Sequence, residues 1–420
     1  MPTDRISRRH ALAAAASMAA LAASTARSAP PRPARRTLRI AETAGLRRFG
    51  YPVHLIVPDA DPSFKFRLEL DGKPVPAQFT TSKDAEGSAP PIVRLDFNVS
   101  HAPGETVDYL LVQGPDIEPG PVPSSGIGLE QSPGLFRVTN GRTLAYEIPE
   151  NLLGLLTGVS NSGLAFLKPR SAGLWIRYRD DILYRVGGFG PGGIPTRATV
   201  LRKGPLAVGL RFDSTEALRG ERRVESRVEM TCPASKSWID MTWQVDDPQG
   251  LVAGLGIELD LLLEGKRALV DFGGPSTIYG TLGPSERMTL ESGQAPGLGH
   301  GEPVWRVTHG KLGSKTPFAQ SPAGTAGLAG KAEGWAHVMD DARCTAAALA
   351  DFGLTARDRI EVDASGRLSL WRDFAGNGEN PPPGPKALHA YYHFVPMPVQ
   401  IGAATSPQAM LAPLKATWID

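Results

Sequence analysis

Cysteine is nearly missing from this chain. Only Cys232 and Cys344 occur among 420 residues, and they form no Cys-x-x-Cys pair. That spacing argues against a thiolate zinc or iron–sulfur site. A net charge is missing as well, with 45 basic against 43 acidic side chains. Nucleic acid, whose backbone demands clustered cations, is therefore not an expected partner. Long apolar runs are absent too. The single candidate, Ala11 to Ala23, is interrupted by Ser17 and is shorter than the roughly 20 residues a membrane-spanning helix needs. No G-x-S-x-G elbow, no H-E-x-x-H pair and no ordered phosphate loop occurs, so hydrolases of those classes are not indicated. Gly313-Ser314-Lys315-Thr316 only echoes a phosphate loop. No cofactor is expected.

What the N-terminus does hold is an export signal. Ser7-Arg8-Arg9-His10 precedes the alanine-rich stretch, and Ser24-Thr25-Ala26 offers a small-residue exit. An Arg pair before a weakly apolar stretch is the twin-arginine pattern, although Ala11 stands where a bulky apolar residue is usual. An ordinary secretory signal or a short anchor are the alternatives. Residues 1–26 are read as the signal, which predicts a periplasmic or extracellular protein with no membrane partner after cleavage. Removing them takes away Arg5, Arg8, Arg9 and Asp4, which turns 45 basic and 43 acidic groups into 42 and 42. Cys232 and Cys344 can then close a disulfide or persist as buried thiols, since twin-arginine substrates fold before export.

Beyond the signal, residues 27–36 (RSAPPRPARR) have no apolar periodicity and read as a flexible tether. Residues 37–114 carry six short strand patterns and no helical period. Phe64 to Leu70 alternates apolar and polar side chains, and Asp71-Gly72 turns it toward Pro74–Phe79, which predicts a hairpin. A small β-barrel or sandwich follows. Pro115 to Ser125 suits neither strand nor helix and reads as a linker. From 126 to 420 strand-like runs dominate again, among them Gly173–Tyr178, Trp238–Val245, Trp335–Met339, Arg367–Trp371, Ala387–Val395 and Ala416–Ile419. A short helix is predicted from Ser406 and Pro407 to the stop at Pro413. The fold class is all-β: a small N-terminal barrel, then a large antiparallel two-sheet sandwich.

These segments resemble a known family. Glu42 through Val53, with Asp71-Gly72-Lys73-Pro74-Val75-Pro76-Ala77-Gln78, is similar to the N-terminal barrel of rhamnogalacturonan exolyase-like proteins. Gly204-Pro205-Leu206, Ser237-Trp238-Ile239-Asp240 and Asp246-Asp247-Pro248 are similar to the galactose-mutarotase-like sandwich that follows it. The resemblance implies a carbohydrate-handling, all-β protein. In that family a helical toroid comes next and carries much of the cleft. This sequence has no positions matching it, so none of the toroid's catalytic residues is carried over.

Two stretches hold most of the chemistry. In His389-Ala390-Tyr391-Tyr392-His393, period-two alternation places His389, Tyr391 and His393 on one strand face. Imidazoles and a phenol can contact a sugar or move protons near neutral pH. They can equally just pack, or supply part of a metal site, although no partner carboxylate is identifiable by spacing and no metal is expected. Trp175-Ile176-Arg177-Tyr178-Arg179 puts Trp175, Arg177 and Arg179 on one face, an indole for a pyranose ring and guanidinium forks for carboxylates. Trp335 with His337, and Trp371 with Arg372, raise the same possibility. Gly188-Phe189-Gly190-Pro191-Gly192-Gly193 matches the dinucleotide fingerprint in letters only, because Pro191 and Pro195 obstruct the helix it requires. The resulting expectation is an exported protein that recognises an acidic polysaccharide. His389, Tyr391 and His393 would face the same groove as Arg177 and Arg179. A polysaccharide lyase or sugar epimerase is the alternative, with one of those arginines as cation and one of those histidines as base. A surface protein without a sugar site is the third.

Overall fold

A computed structural model describes residues 34–82, 91–123, 126–169, 173–188, 192–265, 268–274, 278–292, 305–311, 317–320, 332–354, 356–375, 380–398 and 405–419. The export signal, the tether up to residue 33, Phe189 to Pro191 and Gly313 to Thr316 lie outside the described residues. The protein is almost entirely antiparallel β-sheet, as its sequence pattern implied. In Arg223–Pro233, for example, Val224, Val228, Met230 and Cys232 are buried while Arg223, Glu225 and Arg227 are exposed. That alternation is what a pleated strand with one face on a core requires.

The small domain is built from a five-stranded and a three-stranded sheet. Leu38, Ile40, Leu68, Leu95, Phe97 and Leu111 fill the space between them. Asp71 and Gly72 both adopt positive φ, 51° and 73°, which is the turn an Asp-Gly pair favours. The hairpin it makes is shorter than expected. Lys65–Leu70 meets the returning chain only at Lys73–Pro74, its other edge being paired with Thr106–Gly114, and the chain then crosses to the other sheet as Ala77–Ser82. Pro74 and Pro76 lack the amide donors a longer ladder needs.

Three further boundaries move. The first strand is Ala34–Ala41, so the end of the expected tether is already paired with Thr106–Gly114. Lys415–Ile419, read as part of the large domain, instead extends the small domain's five-stranded sheet by pairing with Ala34–Ala41. The helix Thr405–Leu411 goes with it, its Met410 fully buried in the small domain's core. Described residues from Pro115 to Pro123 carry no strand.

The large domain stacks an eight-stranded sheet on a nine-stranded one, and strands Ile127–Ser132 to Leu164–Ala165 add a five-stranded meander on the same core. Ile176 from the eight-stranded sheet, Tyr392 and Phe394 from the nine-stranded sheet, and Tyr146 from the meander belong to that core. Each sheet therefore has an inner face in the core and an outer face turned away from it. The small domain sits on the outer face of the nine-stranded sheet, where Trp238, Trp335, Ala348 and Tyr391 join its core cluster.

Candidate functional site

The strand Lys386–Pro396 sends Leu388, Ala390, Tyr392 and Phe394 inward, which leaves His389, Tyr391 and His393 on the outer face, as alternation predicted. Across that face one register row runs Tyr279–Asp271–His337–Ala346–His393–Trp238, one residue per strand. Ala346 is small enough for imidazoles to flank it on both sides.

Each imidazole in the row has a fixed partner. His337 Nδ1 lies 3.0 Å from an Asp271 oxygen, and the same oxygen accepts the His337 backbone amide at 3.2 Å. A carboxylate oxygen accepts, so Nδ1 donates to Asp271 and the contact fixes the orientation of the ring. His393 Nε2 lies 2.5 Å from the Ser237 hydroxyl. Burial lowers the His393 pKa to about 4, and the neighbouring His337 and Lys236 push the same way. His393 is thus neutral at physiological pH. Lys236 donates to the Phe49 carbonyl at 2.6 Å, and burial, then Arg48, lowers its ammonium from the ordinary value.

A second pair lies further along the same face, Asp240 one row and His389 two rows from His393. His389 Nε2 is 2.7 Å from Asp240 Oδ1, and both side chains are about one-third exposed, 35% and 31%. The His389 ring is 4.6 Å from Tyr391. Tyr391 itself is buried at the domain seam with Tyr51, and burial first, then Asp240, holds its hydroxyl far above the usual phenol range. It contributes packing there. Trp335 is likewise buried, its Nε1 donating to Glu333 at 2.6 Å.

The arginine strand does not join this site. Gly173–Tyr178 belongs to the eight-stranded sheet, and its Leu174, Ile176 and Tyr178 enter the common core. Trp175 and Arg177 therefore face outward on the opposite side of the sandwich from His389 and His393. One shared groove, and with it the lyase arrangement of Arg177 or Arg179 with His389 or His393, is not assembled. Arg177 is moreover engaged by Asp181 at 2.6 Å and Asp373 at 2.9 Å. Burial works against its charge, but those carboxylates outweigh it and raise its pKa. Arg179 is not on the strand at all. The register shifts after Arg177, the strand ends at Tyr178, and Arg179 occupies an exposed turn.

Trp371 and Arg372 are structural. The Trp371 indole lies flat over Gly256, where an added Cβ would come within 2.5 Å of the ring, so it offers no open face to a sugar. Arg372 turns inward and forks onto Asp358 at 2.8 and 2.9 Å, both groups buried. At the glycine run, the amides of Gly187 and Gly188 donate to Glu216, so a carboxylate of the protein occupies the donors a phosphate would need. Among the described residues no group of three or more His, Cys, Asp or Glu side chains is placed to hold a metal ion.

Sequence reasoning missed Asp271, Ser237, Asp240 and Lys236, because their partners are 66 to 187 residues away. A weak signal existed. Alternation in Trp238–Asp246 puts Trp238 and Asp240 on one face, and Asp271 alternates with the core residues Val270 and Phe272.

The sequence matches no protein-family profile, and no curated protein matches it. The fold does have relatives among solved structures. A protein in glycosyl hydrolase family 38 from Enterococcus faecalis shares it at a TM-score of 0.56 and 12% identity, over 92% of this chain and 47% of that one. An α-mannosidase from Enterococcus faecalis V583 does so at 0.55 and 12%, over 92% and 46%. This chain spans about half the length of either protein. At that identity the likeness is one of fold, and it lends no support to the rhamnogalacturonan exolyase family in particular.

Proposed function

We propose that this chain is a carbohydrate-interacting β-sandwich protein whose sugar-contacting surface is the outer-face row of Asp271, His337, His393 and Ser237. One observation carries the reading: two imidazoles, each fixed by its own oxygen partner, stand in register on the outer face of the nine-stranded sheet, where His337 is 8% exposed and Asp271, His393 and Ser237 are partly exposed. Such an array presents oriented donors and acceptors at the spacing of neighbouring strands, which suits a polyhydroxylated ligand. The fold shared with glycosyl hydrolase family 38 structures points to the same ligand class. Within that class we favour acidic polymers, since the Lys236 ammonium beside Ser237 can take a uronate carboxylate.

Calorimetry with oligogalacturonides and with manno-oligosaccharides tests this. Binding is expected from the wild type, and His337→Ala should weaken it by about 1–3 kcal/mol, the cost of losing a partnered polar group. No heat with either series would leave the surface-protein reading standing. Tighter binding of the neutral series would remove the acidic part alone. Export by the twin-arginine route belongs to the same proposal. Replacing Arg8 and Arg9 by Lys should strand the precursor in the cytoplasm, and continued export would refute that route.

A further inference from the structure

The outer face of the eight-stranded sheet, on the side of the sandwich away from the small domain, carries two carboxyl groups in unlike surroundings. Val252–Asp260 sends Leu255, Ile257 and Leu259 into the core, Arg367–Asp373 sends Leu368 and Leu370, and Arg357–Asp363 sends Ile360 and Val362. Alternation then puts Glu258, Ser369 and Glu361 on the outer face. Ser369 is the direct cross-strand partner of both glutamates, Glu258 on one side and Glu361 on the other. Two strand spacings, about 9–10 Å, therefore separate the glutamate backbones. The side chain between them is a short serine, buried as a floor, while both glutamates are partly exposed.

The two carboxyls are held differently. Glu361 Oε1 pairs with the Arg287 guanidinium at 2.9 Å, and Oε2 accepts the Thr289 hydroxyl at 3.3 Å. An ionised carboxylate has about four acceptor sites, so two partners leave sites for a water molecule. Glu258 forms no ion pair with any described residue, and Arg367, on its diagonal, is engaged by Asp260 at 3.1 Å. Burial raises the Glu258 pKa, Asp260 and Glu361 add to the rise, and Arg367 and the Trp175 indole oppose it. A carboxyl that keeps its proton more readily, facing one already paired with a cation, is the arrangement of a general acid and a general base.

From this placement we infer a catalytic site in which Glu258 and Glu361 flank a glycosidic bond lying over Ser369 and hydrolyse it with inversion at the anomeric carbon. Inverting pairs stand about 6.5–9.5 Å apart and retaining pairs about 5–5.5 Å, so a gap of two strand spacings fits the former and leaves room for water. The Glu258 carboxylic acid gives its proton to the glycosidic oxygen as the bond from that oxygen to the anomeric carbon breaks. The Glu361 carboxylate takes a proton from a water whose oxygen bonds to the same carbon from the opposite side. One water is consumed, and both carboxyls return to their starting states by exchanging protons with solvent. The ligand class is that of the carbohydrate reading above, but the site lies on the other face of the sandwich and does not use the imidazole row.

The experiment incubates the full chain with oligogalacturonides and manno-oligosaccharides, each from disaccharide to hexasaccharide, and follows products by chromatography and proton NMR. Wild type should shorten one series and release a first product of inverted anomeric configuration. Glu258→Gln and Glu361→Gln should each lower kcat about 100-fold or more with KM little changed, and melting curves check that both variants fold. Retained configuration, full activity in either variant, or no product from either series would overturn the inference. The configuration of the wild-type product decides the matter even where a variant proves unstable. Calorimetric binding without any cutting would defeat this inference alone, whereas neither binding nor cutting would defeat the carbohydrate reading with it.

Discussion

Removing the Arg372 guanidinium is expected to destabilise the large domain through the buried carboxylate it holds. Beside Trp371, Arg372 looked like a carboxylate-binding arginine, yet its guanidinium is buried against Asp358 and donates to the Ala350 carbonyl at 2.6 Å. Asp358 is fully buried and also accepts the Gly353 amide at 2.8 Å. Arg372→Ala therefore strands a desolvated carboxylate and deprives a carbonyl of its donor. Breaking one side of a buried pair costs about 3–5 kcal/mol, a large share of the roughly 5–15 kcal/mol that holds a typical domain folded. Replacing both partners, Arg372→Met with Asp358→Leu, should recover most of the loss, because no charge is left buried alone. Burial already raises the Asp358 pKa despite Arg372. Without Arg372 the carboxyl should take up a proton more readily, so the single variant's deficit should shrink as pH falls. Urea unfolding followed by tryptophan fluorescence and circular dichroism measures each quantity. An Arg372→Ala protein as stable as wild type, or one that keeps its stability and loses only glycan binding, would refute the reasoning.

Three more outcomes are expected. His393 has a folded pKa lowered from 6.5 to about 4, so between those values the unfolded chain binds more protons. Its contribution to stability is complete above about 6.5 and is lost as pH falls toward 4. His393→Gln should flatten that part of the pH–stability curve, and an unchanged curve would contradict the assignment. Cys232 and Cys344 are free buried thiols, each held at about 12 by burial. Both should resist iodoacetamide in the native protein and react after unfolding without reductant, whereas a disulfide would leave neither reactive. Proteolysis between Pro115 and Pro123 should nick the chain without separating it. The pairing of Lys415–Ile419 with Ala34–Ala41 and the Gln78 hydrogen bonds to Leu206 and Ala207 cross the cut. Gel filtration giving two independent fragments would show those contacts to be weak.

The reading of the sequence went furthest where local physics decides. Alternation in Gly173–Tyr178, Trp238–Asp246 and Lys386–Pro396 is a period-two signal carried by neighbouring residues, and those strands form where it predicted. Arg357–Asp363 escaped notice because buried Asp358 and four other charged residues mask the alternation of Ile360 and Val362. The stop at Tyr178, which removed Arg179 from its expected face, follows from a register shift against Val252–Asp260. A shift of that kind depends on the partner strand, not on the strand's own residues.

The amino-acid sequence by itself determined the all-β class and the common face of His389, Tyr391 and His393. Each depends on turn residues and alternation within a short window. Only the tertiary structure decided which faces meet. Strand alternation says that two side chains point away from the core but not which sheet carries them, so Arg177 and His389 were free to end on opposite sides of the sandwich. Sheet order brought Asp271 to His337 and Ser237 to His393 from 66 and 156 residues away. It also laid the small domain over Tyr391 and turned an expected site residue into packing. Hydrogen bonding between distant strands sets that order, and the pattern within a strand does not specify its neighbours.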